Sequence, residues 1–122
     1  MKRVQTAAVA VFGLRVAYGV ALIAAPERMA KSWLGPVGDP AKVALRGVGG
    51  REIALHGFAL GAAARGAPLL PWLLMSIAGD LGDIAATFAG RDGIPDGAAG
   101  KTAAVAGGSA ALSVAVLVAE RA

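Results

Sequence analysis

The sequence predicts an all-α membrane protein: one domain, residues 1–122, forming a bundle of four transmembrane helices with a short interfacial amphipathic helix between the first two. Three observations predict this class. The chain is 57% hydrophobic and 16% charged, with a mean hydropathy of +0.65, whereas soluble domains carry about 25% charged residues. Four apolar segments of transmembrane length alternate with short polar breaks. Glycine, at 18 residues, is abundant, as in transmembrane helices that pack through small side chains.

The composition also argues against several kinds of metal site and cofactor. The chain has no cysteine and a single histidine, so we expect no disulfide, no thiolate metal site and no internal bis-histidine haem. We therefore expect no metal and no cofactor. The net charge of +4 comes from scattered basic residues, several inside apolar runs, and nucleic acid is not an expected partner.

The first predicted helix covers residues 4–25. At about 1.5 Å per residue it spans about 33 Å, the thickness of one bilayer core. Arg15 lies at its midpoint, and Tyr18, three residues later, shares its face. An arginine in the middle of the run also argues against a cleaved signal peptide, whose core is apolar.

Residues 26–36 predict a short amphipathic helix. Pro26 suits a first helical turn, and Met29 and Trp33 fall on one face while neighbouring positions are charged. A tryptophan just outside an apolar span is typical of an anchor at the membrane interface. An ordinary amphipathic connector is the alternative, and the two interpretations are compatible.

The second predicted helix, residues 40–64, is the segment around which we expect the bundle to be organised. It is apolar enough in length and composition to cross a bilayer, yet it carries Arg46, Arg51, Glu52 and His56. Ionisable groups within a membrane segment are costly, generally face the bundle interior and indicate a functional site.

The third and fourth predicted helices cover residues 69–89 and 101–119. The connection before the third is very short, so the second and third helices should be antiparallel neighbours. Asp80 and Asp83, three residues apart, share a face of the third helix. In the fourth, small residues recur every four positions and predict a close-packing stripe: Ala103, Gly107, Ala111, Ala115 and Ala119.

Four spans would place both chain ends on one side of the cytoplasmic (inner) membrane. Basic residues number four on that side and five on the other, so the positive-inside rule selects no orientation. A dual-topology homodimer is one of the arrangements left open.

Counting residues from the helix ends places the charges at similar depths. Arg15, Arg51 and Asp80 each lie ten residues from the same side, about 15 Å deep at 1.5 Å per residue. Paired charges are tolerated in a bilayer far better than isolated ones. The count predicts that Asp80 pairs with Arg51 or Arg15, and Asp83 with Arg46.

These residues form the predicted ligand-binding site: Arg15, Tyr18, Arg46, Arg51, Glu52, His56, Asp80 and Asp83. Four of them, Glu52, His56, Asp80 and Asp83, are candidates for acid–base catalysis. Glu52 precedes His56 by one helical turn and could orient the imidazole. A purely structural interpretation competes, in which the charges neutralise one another and fix helix register.

The chain resembles small four-helix membrane proteins of actinobacteria that are distantly similar to the DoxX-like group. The resemblance rests on short motifs: Arg15 with Gly19 and Pro26, then Arg46-Gly47 with Gly50-Arg51-Glu52, then Asp80 with Asp83. It implies a membrane-embedded four-helix bundle and no settled activity. Small multidrug exporters, of similar size, use a carboxylate in the first helix, where this chain has Arg15.

We therefore expect a small multi-pass membrane protein whose charged midplane site binds or processes a small, partly lipophilic molecule. The alternatives are a proton-linked transporter or ion channel, a small membrane enzyme, and a structural subunit of a membrane complex. Expected partners are the lipid bilayer and a small lipophilic ligand, and the oligomeric state is left open.

Overall fold

In the computed structural model, which describes residues 2–122, all regular secondary structure is helical, and this confirms the all-α class. Five α-helices and one 3₁₀ turn, Arg91–Gly93, make up this part of the chain. The α-helices are α1 (Arg3–Ala24), α2 (Pro26–Leu34), α3 (Asp39–Ala64), α4 (Leu70–Ala89) and α5 (Ala98–Arg121).

The long helices pack as two close pairs, α1 with α3 and α4 with α5. The first pair is in backbone contact at Gly19 and Gly49. A Cβ atom added at either residue would lie 2.6 Å from the carbonyl oxygen of the other. Glycine is needed at this crossing because any side chain would push α1 and α3 apart. The expected α3–α4 neighbours also touch, but over a smaller surface.

Two apolar clusters hold the helices together. The larger lies towards the α3–α4 connection and joins both helix pairs, with Phe12 on α1 and Leu73 on α4 completely buried. The smaller surrounds Leu22, Ala30 and Leu45 and fixes α2 against α1 and α3. The second cluster places α2 beside the polar interior, at the opposite end of the bundle from the first.

Large apolar side chains cover much of the outer surface. Leu14, Val43, Phe58 and Val105 are each at least 70% exposed. An apolar exterior of this extent is unusual for a soluble monomer and indicates contact with lipid or with another protein. Among the described residues, α1, α4 and α5 are the helices long and apolar enough to cross a membrane. The chain is thus a helical membrane protein by its apolar segments.

The helix bounds differ from the predicted ones mainly at α5, which begins at Ala98 rather than 101. Gly97, with φ of +79°, ends the preceding loop, so the helix starts directly after it. The predicted small-residue stripe on α5 is wrong, because Ala111, Ala115 and Ala119 are exposed. The buried residues of α5 lie at other positions: Ala98, Ala106, Ala110, Ser113 and Val116.

Candidate functional site

Arg15, at the middle of α1, is the centre of a polar network that joins four helices. Its Nε and Nη2 donate to the two carboxylate oxygens of Glu52 on α3, at 2.9 and 3.0 Å. Its Nη1 donates to Asp80 Oδ1 on α4 and to Ser109 Oγ on α5, both at 2.6 Å. A guanidinium has five N–H groups in a fixed planar fork, which suits this divided, partly bidentate binding.

Asp80 is the most buried carboxylate of this network, with its side chain 2% exposed. Oδ1 accepts from Arg15, whereas Oδ2 is buried and has no hydrogen-bond partner among the described residues. Leaving a buried carboxylate oxygen unsatisfied is costly. This oxygen is the clearest unfilled acceptor of the site.

His56 continues the network away from Arg15. Its Nδ1 lies 3.1 Å from both the carboxylate and the main-chain oxygen of Glu52, and its Nε2 lies 3.0 Å from Ser76 Oγ. Two acceptors beside Nδ1 assign the proton to that nitrogen, so the Ser76 hydroxyl donates to Nε2. Both ring nitrogens have hydrogen-bond partners in this arrangement, and both His56 and Ser76 are buried.

The network uses one stripe of α3, and this explains which predicted residues it leaves out. Leu45, Gly49 and His56 are buried along that stripe. Arg46 and Arg51 lie well to either side of it, since successive residues turn by about 100°, and both are exposed. The predicted depths of Arg15 and Asp80 agree with their contact, but depth says nothing about direction around a helix.

The expected pair between Asp83 and Arg46 is therefore not formed. Arg46 Nε instead donates to the main-chain oxygen of Ile23, 3.2 Å away. This carbonyl belongs to the last turn of α1, where helix geometry leaves carbonyls without an internal partner. Of the two partners considered for Asp80, Arg15 is the one in contact, and Arg51 forms no ion pair within residues 2–122.

A cavity of about 370 Å³ opens beside Arg15 between α1, α2, α4 and α5. Its inner end is formed by Arg15, Asp80 and Ser109, and its outer end by Trp33 and Lys101, among others. Eight residues of α5 separate Ser109 from Lys101, about 12 Å along the helix axis. The volume lies within the range typical of small-molecule sites.

Of the remaining predicted residues, some line this cavity and others lie behind it. Tyr18 and Asp83 line it together with Arg15 and Asp80. Glu52 and His56 do not line it and instead support Arg15 from behind. Two further lining residues, Leu14 and Val105, are 71% and 75% exposed, so the cavity opens to the apolar outer surface between α1 and α5.

Helix α2, the segment predicted to be amphipathic, lines the end of the cavity near Lys101. Ala30 of α2 is buried, and Met29 and Trp33 are half-buried and line the cavity. Trp33 Nε1 donates to Thr87 Oγ1 on α4, 3.0 Å away. The tryptophan thus joins α2 to the second helix pair, a contact that the expected anchoring role did not include.

Sequence reasoning missed the hydroxyl groups of the network. Ser76 and Ser109 follow no spacing motif, and their roles depend on which helix faces are turned towards His56 and Arg15. The only indication in the sequence was that each is a small polar residue within an apolar helix. Within residues 2–122, no group of three or more His, Asp or Glu side chains could hold a metal ion.

Fold and site together define the class: a helical membrane protein with three segments able to cross a bilayer and a polar network buried between its helices. No family model, curated protein or solved structure matches the chain. The resemblance to the DoxX-like group therefore stays a prediction that rests on the motifs alone.

Proposed function

We propose that the chain is a multi-pass protein of the cytoplasmic membrane in which α3 is a fourth transmembrane helix. Support comes from its length, 26 residues, which corresponds to about 39 Å. Val43 and Phe58 expose apolar surface along it. Its one deeply placed acid, Glu52, is paired with Arg15, which lowers the cost of immersion.

We further propose that the protein binds a small, partly lipophilic molecule in the cavity beside Arg15. The observation that carries this proposal is the cavity itself, which combines an apolar opening at Leu14 and Val105 with a charged inner end at Arg15 and Asp80. Such a gradient orients an amphiphilic molecule, since the polar group and the apolar body find different surroundings.

The test compares two matched tryptophan variants on α5. Val105→Trp places a bulky ring at the opening of the cavity, and Val118→Trp makes the same change at a residue that is also exposed, at 63%, but does not line the cavity. Native mass spectrometry from detergent measures the small molecules that each purified protein retains. We expect wild type and Val118→Trp to retain the same molecule and Val105→Trp to lose it. Equal retention in all three proteins would contradict the proposal.

A second candidate is a small membrane enzyme, and the arrangement of Glu52, His56 and Ser76 is the observation that favours it. A carboxylate, an imidazole and a hydroxyl follow one another at 3.1 and 3.0 Å, the order found in serine hydrolases. Ser76, however, is buried and does not line the cavity. A fluorophosphonate probe that labels wild type but not Ser76→Ala would establish the enzyme, and absence of labelling would exclude a reactive serine.

A third candidate is a subunit role, either in a homo-oligomer or in a larger complex. Arg51 lies midway along α3, is exposed, and forms no ion pair within residues 2–122. An arginine facing hydrocarbon at this depth is costly, so a neighbouring protein surface would stabilise it.

Because the chain has no cysteine, Ala54→Cys, exposed one turn from Arg51, gives a clean cross-linking test in native membranes. Ala115→Cys, exposed on α5, is the control. A disulfide dimer specific to Ala54→Cys would support a homo-oligomer, and equal cross-linking at the two positions would count against an interface at Arg51.

A further inference from the structure

We infer that the ligand of this cavity carries an ammonium group with at least one N–H, and that this group binds between Asp80 and Asp83. The inference rests on the proposed function and specifies the chemical class of its ligand. It follows from the charges at the inner end of the cavity and from the unpartnered oxygen of Asp80.

The first step is a count of the Arg15 donors. Four of the five guanidinium N–H groups are used, two on Glu52, one on Asp80 and one on Ser109. Arg15 therefore has no pair of donors left for a second bidentate carboxylate. The one N–H that remains is on Nη2, whereas the contact with Asp80 is made by Nη1.

The second step is a count of charge. Arg15 gives two hydrogen bonds to Glu52 and one to Asp80, so the three carboxylates of Glu52, Asp80 and Asp83 outnumber the one guanidinium among them. Asp83 forms no ion pair within residues 2–122 and lines the same cavity as Asp80. His56 lies behind Glu52 and does not line the cavity. Lys101 is in the first turn of α5, about 12 Å away along the helix from Ser109.

The third step is the unpartnered acceptor. Asp80 lines the cavity, and its Oδ2 has no hydrogen bond and almost no accessible surface, so a ligand reaches this oxygen only after the carboxylate turns towards the cavity. An ammonium N–H would donate a hydrogen bond to this oxygen and also supply a positive charge. A hydroxyl group would donate the hydrogen bond but carry no charge. A quaternary ammonium would carry the charge but has no N–H to donate. A carboxylate or phosphate would add to the unbalanced charge.

The apolar body of such a ligand would extend towards the opening. Leu14 and Val105 border the cavity on the exposed surface, where lipid chains would lie in a bilayer. Two sources supply this chemistry, namely a free lipophilic amine and a lipid with a primary ammonium headgroup such as phosphatidylethanolamine. Both present an ammonium N–H on an apolar body, although in phosphatidylethanolamine a phosphate lies between the two and makes the molecule neutral as a whole.

The test uses Trp33, which lines the cavity, as a fluorescent reporter. The background variant Trp72→Phe removes the other tryptophan and keeps a ring against Phe58, on which Trp72 stacks. Four probes are titrated into the protein in detergent: dodecylamine, dodecyltrimethylammonium, dodecanol and a short-chain phosphatidylethanolamine. Phosphatidylcholine, with the same chains, is the control for the lipid.

We expect the midpoint of the Trp33 fluorescence change to be at least about tenfold lower for dodecylamine than for dodecyltrimethylammonium or dodecanol. This is the difference expected of one charge-assisted hydrogen bond. A lipid ligand predicts a lower midpoint for phosphatidylethanolamine than for dodecylamine, and a free amine as ligand predicts the reverse order. Equal midpoints for dodecylamine and dodecanol would overturn the inference but leave the proposed function standing. No saturable response to any probe would contradict both.

Asp80→Asn provides a second, independent test. The amide keeps an acceptor for Arg15, removes the charge and replaces the acceptor Oδ2 with a donor. We expect the preference for dodecylamine over dodecanol to disappear, while Asp92→Asn, on the exposed 3₁₀ turn, keeps it. If Asp80→Asn does not fold, the probe series on the Trp72→Phe protein still decides the question.

Discussion

Arg15 and Asp80 are 65 residues apart in the sequence and lie on helices that are not among the closely packed pairs, yet Nη1 of the arginine is 2.6 Å from Oδ1 of the aspartate. The long arginine side chain bridges a distance that the backbones do not close. The cavity borders this bridge, so the contact that joins α1 to α4 is also part of the proposed ligand site.

The first prediction concerns the single cation of the network. Arg15→Met leaves the carboxylates of Glu52 and Asp80 buried without their partner, and loss of one member of a buried ion pair costs about 3–5 kcal/mol. Arg51→Met removes an exposed arginine from the adjacent helix and should change the free energy of unfolding little. Thermal unfolding in detergent measures both. Equal effects of the two substitutions would show that Arg15 does not have this central role.

The second prediction concerns the helix crossing at Gly19 and Gly49. Gly19→Ala should destabilise the protein by about 1–3 kcal/mol, the usual cost of overpacking, because the new Cβ would lie 2.6 Å from the Gly49 carbonyl oxygen. Gly13→Ala on the same helix has nothing within 4 Å of the added atom. It should be neutral or stabilising, by up to about 1 kcal/mol. Chemical denaturation in mixed micelles compares the two, and a tolerated Gly19→Ala would argue against a close crossing.

The third prediction concerns Ser76. If its hydroxyl only satisfies His56, Ser76→Ala should cost about 1–3 kcal/mol of stability, because His56 Nε2 is left buried without a partner. The Trp33 response to dodecylamine should not change, because Ser76 does not line the cavity. Thermal unfolding and the fluorescence titration report these two properties separately. Lost ligand response in a folded Ser76→Ala protein would extend the binding site to His56.

The fourth prediction concerns the number of spans. If α3 crosses the membrane, Asp39→Cys at its start and Arg65→Cys at its end should react with an impermeant maleimide from opposite sides. Asp92→Cys, between α4 and α5, should behave like Asp39→Cys. Labelling of intact spheroplasts and of inverted vesicles gives the side of each position. Matching reactivity of Asp39→Cys and Arg65→Cys would limit the spans to three.

The sequence was sufficient to predict the helical class, the positions of the breaks and the common level of Arg15 and Asp80 along the bundle. Depth depends on residue number alone, and Arg15 and Asp80, assigned to one level by counting, are in contact. Direction around each helix depends on which neighbour it packs against. Which neighbour a helix packs against depends on contacts such as that between Gly19 and Gly49. Such a contact cannot be predicted from the sequence of one helix alone.

The missing pair between Asp83 and Arg46 illustrates the same limit. Charge counting treated every arginine as a partner for a carboxylate, whereas Arg46 caps the end of α1 through Ile23. Main-chain carbonyls at helix ends compete with carboxylates for such donors. The cavity was equally beyond sequence reasoning, because it is enclosed by α1, α2, α4 and α5 together.

The uneven packing along the bundle has a mechanical consequence. Towards the α3–α4 connection the two helix pairs share the apolar cluster around Phe12 and Leu73, and beside the cavity they are joined by side-chain hydrogen bonds such as Trp33 to Thr87. The two helix pairs are thus joined by apolar packing at one end of the bundle and by side-chain hydrogen bonds at the other. A small rotation of one helix pair about this cluster would widen the cavity without unpacking either pair, provided that the hydrogen bonds of Arg15 to Asp80 and Ser109 and of Trp33 to Thr87 break.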